Sequence, residues 1–321
     1  MITSTSADTT PIDVVVRERH CVASDIDEFT LARPGSGALP AWEPGAHIDL
    51  LLSDALVRQY SLCSDPGDPS TYRIAVLREP HGRGGSARAH EMLRVGAHIS
   101  IRPPRNHFPL VRALGYVFVA GGIGITPMMP LVAAAARGGR PWRLVYTGRD
   151  DASMPYAREL RERYGDSVTL HHSTRDGRFD LASDLAGSSP GTAVYACGPR
   201  SLIAAAEAAC AGLEAVDVFA ERFTAADLRG ADSRAFELSL AVSGLTLSVP
   251  ARRSILEVAE ASGVVALSSC REGTCGTCET GVVSGEVDHR DSVLTPQERA
   301  ENESMMICVS RCAGERLVLE L

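Results

Sequence analysis

Four cysteines near the C-terminus constrain this chain more than any other feature. Cys270, Cys275 and Cys278 follow the pattern C-x4-C-x2-C, and Cys308 comes after 29 further residues. That is the spacing of the thiolates that hold a plant-type 2Fe–2S cluster. A loop that wraps three sulfurs around one cluster must turn tightly. Gly273 and Gly276 tolerate left-handed backbone there and let N–H groups approach the sulfurs. A zinc site built from four cysteines favours short pairs on both sides, whereas here a triplet faces a single cysteine. Cys21, Cys63, Cys210 and Cys312 have no partner pattern. Cys312, four residues past a ligand, is expected to be structural.

An iron–sulfur centre moves one electron at a time, so the rest of the chain should explain where electrons come from. At 321 residues the chain has room for two or three domains with real cores. A net charge of −8 argues against nucleic acid, which asks for a basic face. Nine cysteines, four of them spaced as ligands, point to a reducing compartment. The polar start, Met1 to Pro11, has neither the basic nor the apolar part of a signal peptide, so a cytoplasmic location is expected. Ala113 to Ala136 runs 24 residues without a charge, long enough to span a bilayer. Its interior reads instead as a strand (Tyr116–Ala120), a glycine turn (Gly121-Gly122-Ile123-Gly124) and a helix that Thr126 caps with Pro127 at its first position. A strand, glycine loop and helix N-terminus make a buried phosphate-binding unit.

The pattern along the chain changes twice, which predicts a multidomain protein. Residues 1–110 read as an antiparallel β-barrel, with short apolar runs such as Ile12–Val16, His47–Leu52 and Tyr72–Leu77 and one helix from Ser86 to Leu93. Residues 111–226 alternate strands and helices, which predicts an α/β domain with a parallel sheet covered on both faces. Residues 227–234 read as a linker. Residues 235–321 read as an α+β domain of β-grasp type. A hairpin signal lies at Ser243-Gly244, Ser254 starts one helix, and the capping box Thr295-Pro296-Gln297-Glu298 starts another.

Two motifs in the first segment suggest a bound phosphate. Arg58-Gln59-Tyr60-Ser61 is weak by itself. Gly82-Arg83-Gly84-Gly85-Ser86, however, sits just before a helix, where free N–H groups and the dipole favour an anion. Read alone, that loop is equally a flexible turn. The combination and order of motifs then resemble one superfamily. R-x-Y-S, the strand Ala75-Val76-Leu77, the loop G-R-G-G-S, Ala120 to Met128 and Ala196-Cys197-Gly198-Pro199 resemble ferredoxin–NADP reductases. With the ferredoxin segment at the C-terminus, the chain resembles the phthalate dioxygenase reductase family and its relatives, such as vanillate O-demethylase reductase.

That resemblance implies an FMN domain, a nicotinamide nucleotide domain and a 2Fe–2S ferredoxin in one chain. Tyr60 would lie against the flavin ring, Arg58 would pair with its phosphate, and Ser61 would bond its polar edge. Ala75, Val76 and Leu77 would line the flavin site, and Gly82, Gly84, Gly85 and Ser86 would cradle the phosphate. No segment reads as the adenine pocket of an FAD enzyme, so FMN is favoured. Gly121, Gly122, Gly124 and Thr126 would meet the pyrophosphate of the nucleotide, with Thr147 and Arg149 further along the same site. Cys197, with Gly198 and Pro199, would stand near the nicotinamide, although a buried cysteine is more often core packing. Glu221 and Arg222 would sit beside the flavin, and Cys197 and Glu221 are the candidate catalytic residues.

The implied activity is that of a reductase passing electrons from NADH to a partner Rieske-type aromatic oxygenase or O-demethylase. Potentials agree: a drop from about −400 mV to about −150 mV is worth about four powers of ten for one electron. The alternatives are a reductase for a di-iron or haem oxygenase, or an iron–sulfur redox sensor that would leave the two cofactor segments idle. NADH is expected over NADPH. Arg149 and Arg175 could each meet a 2′-phosphate, but Asp150, Asp151 and Asp176 follow them at once.

Overall fold

Six strands form the first layer: β1 (Ile12–Ala23), β2 (Ile26–Ala32), β3 (His47–Ser53), β4 (Leu56–Ser61), β5 (Thr71–Leu77) and β6 (His98–Arg105). They pair antiparallel in the order β4-β3-β6-β1-β2-β5. Just past β4, Cys63 N donates to Arg73 O of β5 at 2.9 Å, which joins the two end strands and closes the barrel. Its core has the period-two pattern of a one-sided sheet. Val14 and Val16, Phe29 and Leu31, Ile48 and Leu50, and Tyr72 and Ile74 all point inward. Helix α1 (Gly85–Met92) adds Ala89 to that core. In this computed structural model the described residues are 10–53, 56–80, 84–224 and 233–321. Gly82 and most of the expected linker 227–234 lie outside them.

The second layer is a parallel sheet of β7 (Gly115–Gly121), β8 (Trp142–Gly148), β9 (Val168–His172), β10 (Thr192–Cys197) and β11 (Asp217–Glu221). Its order, β11-β10-β7-β8-β9, reverses direction between β7 and β10. Ligands of open parallel sheets bind in the crevice beyond the strand ends at such a switch point. One face packs Phe118, Leu144 and Tyr146 under α2 (Ile125–Arg137) and α3 (Ala157–Tyr164). After the short α4 (Ser173–Asp176), the other face packs Val117, Val119 and Val194 under α5 (Leu181–Leu185) and α6 (Arg200–Cys210). The charge-free stretch is therefore a buried strand, turn and helix. No helix among the described residues is long and apolar enough to cross a membrane.

One expectation needs correction. Thr126 is not the N-cap of α2. A 3-10 turn over Gly122–Gly124 runs straight into the helix, so the backbone continues without a capping side chain. Thr126 is buried, and its hydroxyl donates to Ile123 O at 3.0 Å.

The chain divides into two compact units, Met1–Glu221 and Arg222–Leu321. In the second unit, β12 (Phe236–Leu240) and β13 (Leu245–Val249) form the hairpin, followed by α7 (Ile255–Ala261). Next come β14 (Glu279–Ser284), β15 (Val287–Asp288), α8 (Pro296–Glu301), β16 (Ser304–Met306), β17 (Arg311–Cys312) and β18 (Arg316–Leu319). The main sheet runs β13-β12-β18-β14-β16, with β12 parallel to β18. Both helices start with reciprocal capping boxes: Thr295 pairs with Glu298, as the sequence predicts, and Ser254, expected only to start its helix, pairs with Glu257.

Candidate cofactor sites

Arg58 and Tyr60 lie two residues apart on β4 and so share a face of the barrel. The guanidinium of Arg58 reaches across to the start of α1. A β-carbon placed on Gly85 would fall 2.1 Å from Arg58 Nε, so only glycine lets the two meet. Gly84, at φ 83°, turns the chain into the helix in a left-handed conformation that suits glycine. Ser86 Oγ accepts from Glu79 N at 3.0 Å and pins the loop. The result is a permanent cation over the free N–H groups of a helix start, an arrangement that fits a phosphate dianion. Ala75 and Val76 are buried in β5, while Leu77 is half-buried.

Ser61 ends β4 and hydrogen-bonds the carboxyl group of Glu221 at the end of β11. Burial pushes that carboxyl up to about 8, against the lowering effect of the Ser61 hydrogen bond. Its Oε2 is enclosed without a hydrogen-bond partner among the described residues. A buried polar atom without a partner is costly unless a bound group meets it. Cys197 stands beside Glu221 in register across β10 and β11 and is fully buried. Burial first, and the Glu221 charge second, hold its thiol protonated, so it offers a small neutral surface rather than a thiolate nucleophile. Arg222 opens the second unit.

The raised Glu221 carboxyl predicts a pH effect. With a folded value near 8 against an ordinary 4.5, the native state holds a proton that the unfolded chain gives up. Stability from this group is complete below its ordinary value and is lost as pH rises through about 8. Glu221→Gln should therefore melt with a shallower decline between about pH 5 and pH 9 than the wild type. Parallel melting profiles would mean that Glu221 is already ionised.

At the switch point, the glycines serve backbone against backbone. A β-carbon on Gly124 would sit 2.4 Å from Cys197 O, and one on Gly198 would sit 2.9 Å from Gly121 Cα. The loops after β7 and β10 thus touch. Beyond them opens a cavity of about 400 Å³. Leu77, Gly121, Gly122, Thr147, Arg149 and Pro199 line it, whereas Gly124, Thr126, Cys197 and Gly198 form the packed floor behind it. Sequence reading missed Arg178, which also lines the cavity. Its only signal was a cation three residues past Arg175.

In the second unit the four expected cysteines converge. The side chains of Cys275 and Cys308 both meet Cys270, and that of Cys308 also meets Cys278, while the Cys275 thiol donates to Thr277 Oγ1 at 3.2 Å. These contacts draw Cys270 and Cys278 toward the thiolate and push Cys275 and Cys308 up toward the thiol. Cys270 Sγ also accepts from Glu272 N at 3.3 Å and Thr274 N at 3.4 Å. Backbone donors aimed at sulfur are what a ligating thiolate needs. Gly273, at φ 70°, could carry no side chain, because a β-carbon would fall 2.5 Å from Val309 Cγ2. Cys312 pairs with Val287 on the separate β15–β17 ribbon and is not among the converging sulfurs.

A flavin-type barrel, a switch-point nucleotide cavity and a four-cysteine cluster loop define an electron-transferring oxidoreductase. Comparison with known proteins agrees. Residues 240–313 match the 2Fe–2S iron–sulfur cluster binding domain family. Over 99% of its length the chain is 40% identical to phenoxybenzoate dioxygenase subunit beta of Ectopseudomonas oleovorans, covering 100% of that protein. It is 37% identical to vanillate O-demethylase oxidoreductase of a Pseudomonas species, covering 97% of this chain and 100% of that one. It is also 37% identical to phthalate dioxygenase reductase of Burkholderia cepacia, over 95% and 96% of the two chains. A solved structure described as phthalate dioxygenase reductase, modular for electron transfer from pyridine nucleotides to 2Fe–2S, aligns with TM-score 0.71 at 37% identity, covering 97% and 98%. An intact type IV self-sufficient cytochrome P-450 monooxygenase aligns with TM-score 0.89 at 40% identity over 97% of this chain. This chain spans only 41% of that longer protein. The chain belongs to the phthalate dioxygenase reductase family.

Proposed function

We propose that this chain is the reductase component of an oxygenase system, carrying electrons from NADH through FMN and a 2Fe–2S cluster to a Rieske-type aromatic oxygenase or O-demethylase. The observation that carries this reading is the placement of Ser61, Glu221 and Cys197. They join the end of the flavin-site strand to the ends of two nucleotide-sheet strands within one unit. When bound, a flavin exchanges the two electrons of a hydride for single electrons.

The chain's own residues do the positioning. Arg58 and the α1 start would hold the FMN phosphate, with Gly82, Gly84, Gly85 and Ser86 around it. Tyr60, Ala75, Val76 and Leu77 would seat the ring. The orphan Glu221 Oε2 and the Ser61 hydroxyl would meet polar atoms at the reacting edge, with Arg222 close by. Cys197 would fill the floor without carrying charge. Gly121, Gly122, Gly124, Thr126, Thr147, Arg149, Gly198 and Pro199 would shape the nucleotide site. Cys270, Cys275, Cys278 and Cys308 would ligate the cluster. On this reading the functional parts are residues 1–110 for FMN, 111–226 for the nucleotide, 227–234 as linker and 235–321 for the cluster, working in the cytoplasm.

A second acceptor has one observation in its favour. The self-sufficient cytochrome P-450 chain contains a region like this whole chain, so a haem oxygenase partner is the rival reading. Adding NADH to purified protein under anaerobic conditions should bleach flavin and cluster absorbance within the dead time of manual mixing. Persistence of both bands would defeat the reductase reading. Mixing the reduced protein with a Rieske oxygenase and with a cytochrome P-450, and following each acceptor's spectrum, separates the two partners.

A further inference from the structure

The acids that follow Arg149 and Arg175 in sequence all point to other work. Asp150 accepts from Ser153 N at 3.0 Å and closes a capping box there. Asp151 meets His172 Nε2 at 2.8 Å. Asp176 takes the fork of Arg175 at 2.7 and 2.8 Å, which leaves Arg175 neutralised and off the cavity wall. Among the described residues no carboxylate lines the switch-point cavity, whereas two guanidinium-bearing residues do, Arg149 after β8 and Arg178 after β9. Neither guanidinium has a hydrogen-bond or ion-pair partner among the described residues. Sites that select the unphosphorylated dinucleotide place an acid on the ribose 2′-hydroxyl after the second strand, and sites that take the 2′-phosphate place an arginine there. Here that position carries the arginine and lacks the acid.

We infer that this chain accepts the 2′-phosphorylated nicotinamide dinucleotide as well as the unphosphorylated one, with Arg149 and Arg178 clamping the 2′-phosphate. This rests on the reading of the cavity as a nicotinamide nucleotide site. A phosphate dianion set between two planar guanidiniums gains charge-assisted hydrogen bonds that a ribose hydroxyl does not. Both side chains are exposed, so the preference should weaken as salt is raised.

The test uses purified holoprotein and two probes that differ only by that phosphate, adenosine 2′,5′-bisphosphate and 5′-AMP, titrated calorimetrically. The bisphosphate should bind at least as tightly as 5′-AMP. In the Arg149→Ala/Arg178→Ala double variant, the ratio of the two affinities should fall by about tenfold or more. Reduction rates should move the same way, with NADPH losing more than NADH. Weaker binding of the bisphosphate than of 5′-AMP by the wild type would overturn the inference. So would equal losses for both probes, because the arginines would then hold a group that both share. Failure of NADH itself to reduce the flavin would sink the reductase reading instead, while the calorimetric ratio would still decide the role of the arginines.

Discussion

Replacing Cys275 or Cys278 with serine is expected to abolish the iron–sulfur absorbance while reduction of the flavin by NADH continues. The four converging sulfurs all lie in the Arg222–Leu321 unit, and the residues assigned to flavin and nucleotide, Arg222 apart, lie in the Met1–Glu221 unit. Each unit has a hydrophobic core of its own, around Ile48 and Phe118 in the first and around Leu238 and Ile255 in the second. Loss of one thiolate removes a ligand that a hydroxyl replaces poorly, because soft thiolates are what iron–sulfur clusters select. Transfer from the reduced flavin onward should therefore stop, and electrons should drain only to oxygen or added dyes. Cys312→Ser should leave the cluster band intact. Loss of the band in Cys312→Ser, or its survival in Cys275→Ser, would show that the ligand set is wrong.

The cluster loop was legible because its chemistry fixes both residue type and spacing. Barrel strands such as Tyr72–Leu77 and sheet strands such as Tyr116–Ala120 were legible for a different reason. Burial on one or both faces forces apolar periodicity, and the observed β5 and β7 extend those spans by one residue and by one at each end. Short elements carry no such signal. The two-residue strands β15 and β17 and the four-residue α4 complete barely one period of their pattern, too little to read. Thr126 misled because threonine before proline is a good helix start, and nothing local reveals that a glycine 3-10 turn has already begun the helix. Arg178 was missed for a tertiary reason. Whether a cation is free depends on where neighbouring acids turn, and Asp150, Asp151 and Asp176 turn to Ser153, His172 and Arg175. The glycines after β7 read as ligand contacts, but Gly124 is demanded first by the approach of its own chain to Cys197.

The contact between Arg58 and Gly85 makes the flavin site testable from both sides. Arg58→Ala removes the main charge partner of a phosphate dianion, a charge-assisted contact worth about 1.5–3 kcal/mol. FMN should then bind about ten- to a hundredfold more weakly, and the purified variant should be depleted of flavin. Gly85→Ala attacks the same site while keeping the charge. The new methyl would stand 2.1 Å from Arg58 Nε and 2.7 Å from Cζ, so the guanidinium must swing away from the helix start. Because Arg58 ends in a flexible side chain, the protein can yield without unfolding, and the loss should appear in flavin affinity more than in melting temperature. If cradle and cation act together on one phosphate, the double variant should lose little more FMN affinity than Arg58→Ala alone, since neighbouring changes that share a partner do not add. Full additivity would mean that Arg58 and the α1 start meet different groups. Extraction of FAD rather than FMN from the wild type would overturn the choice of flavin.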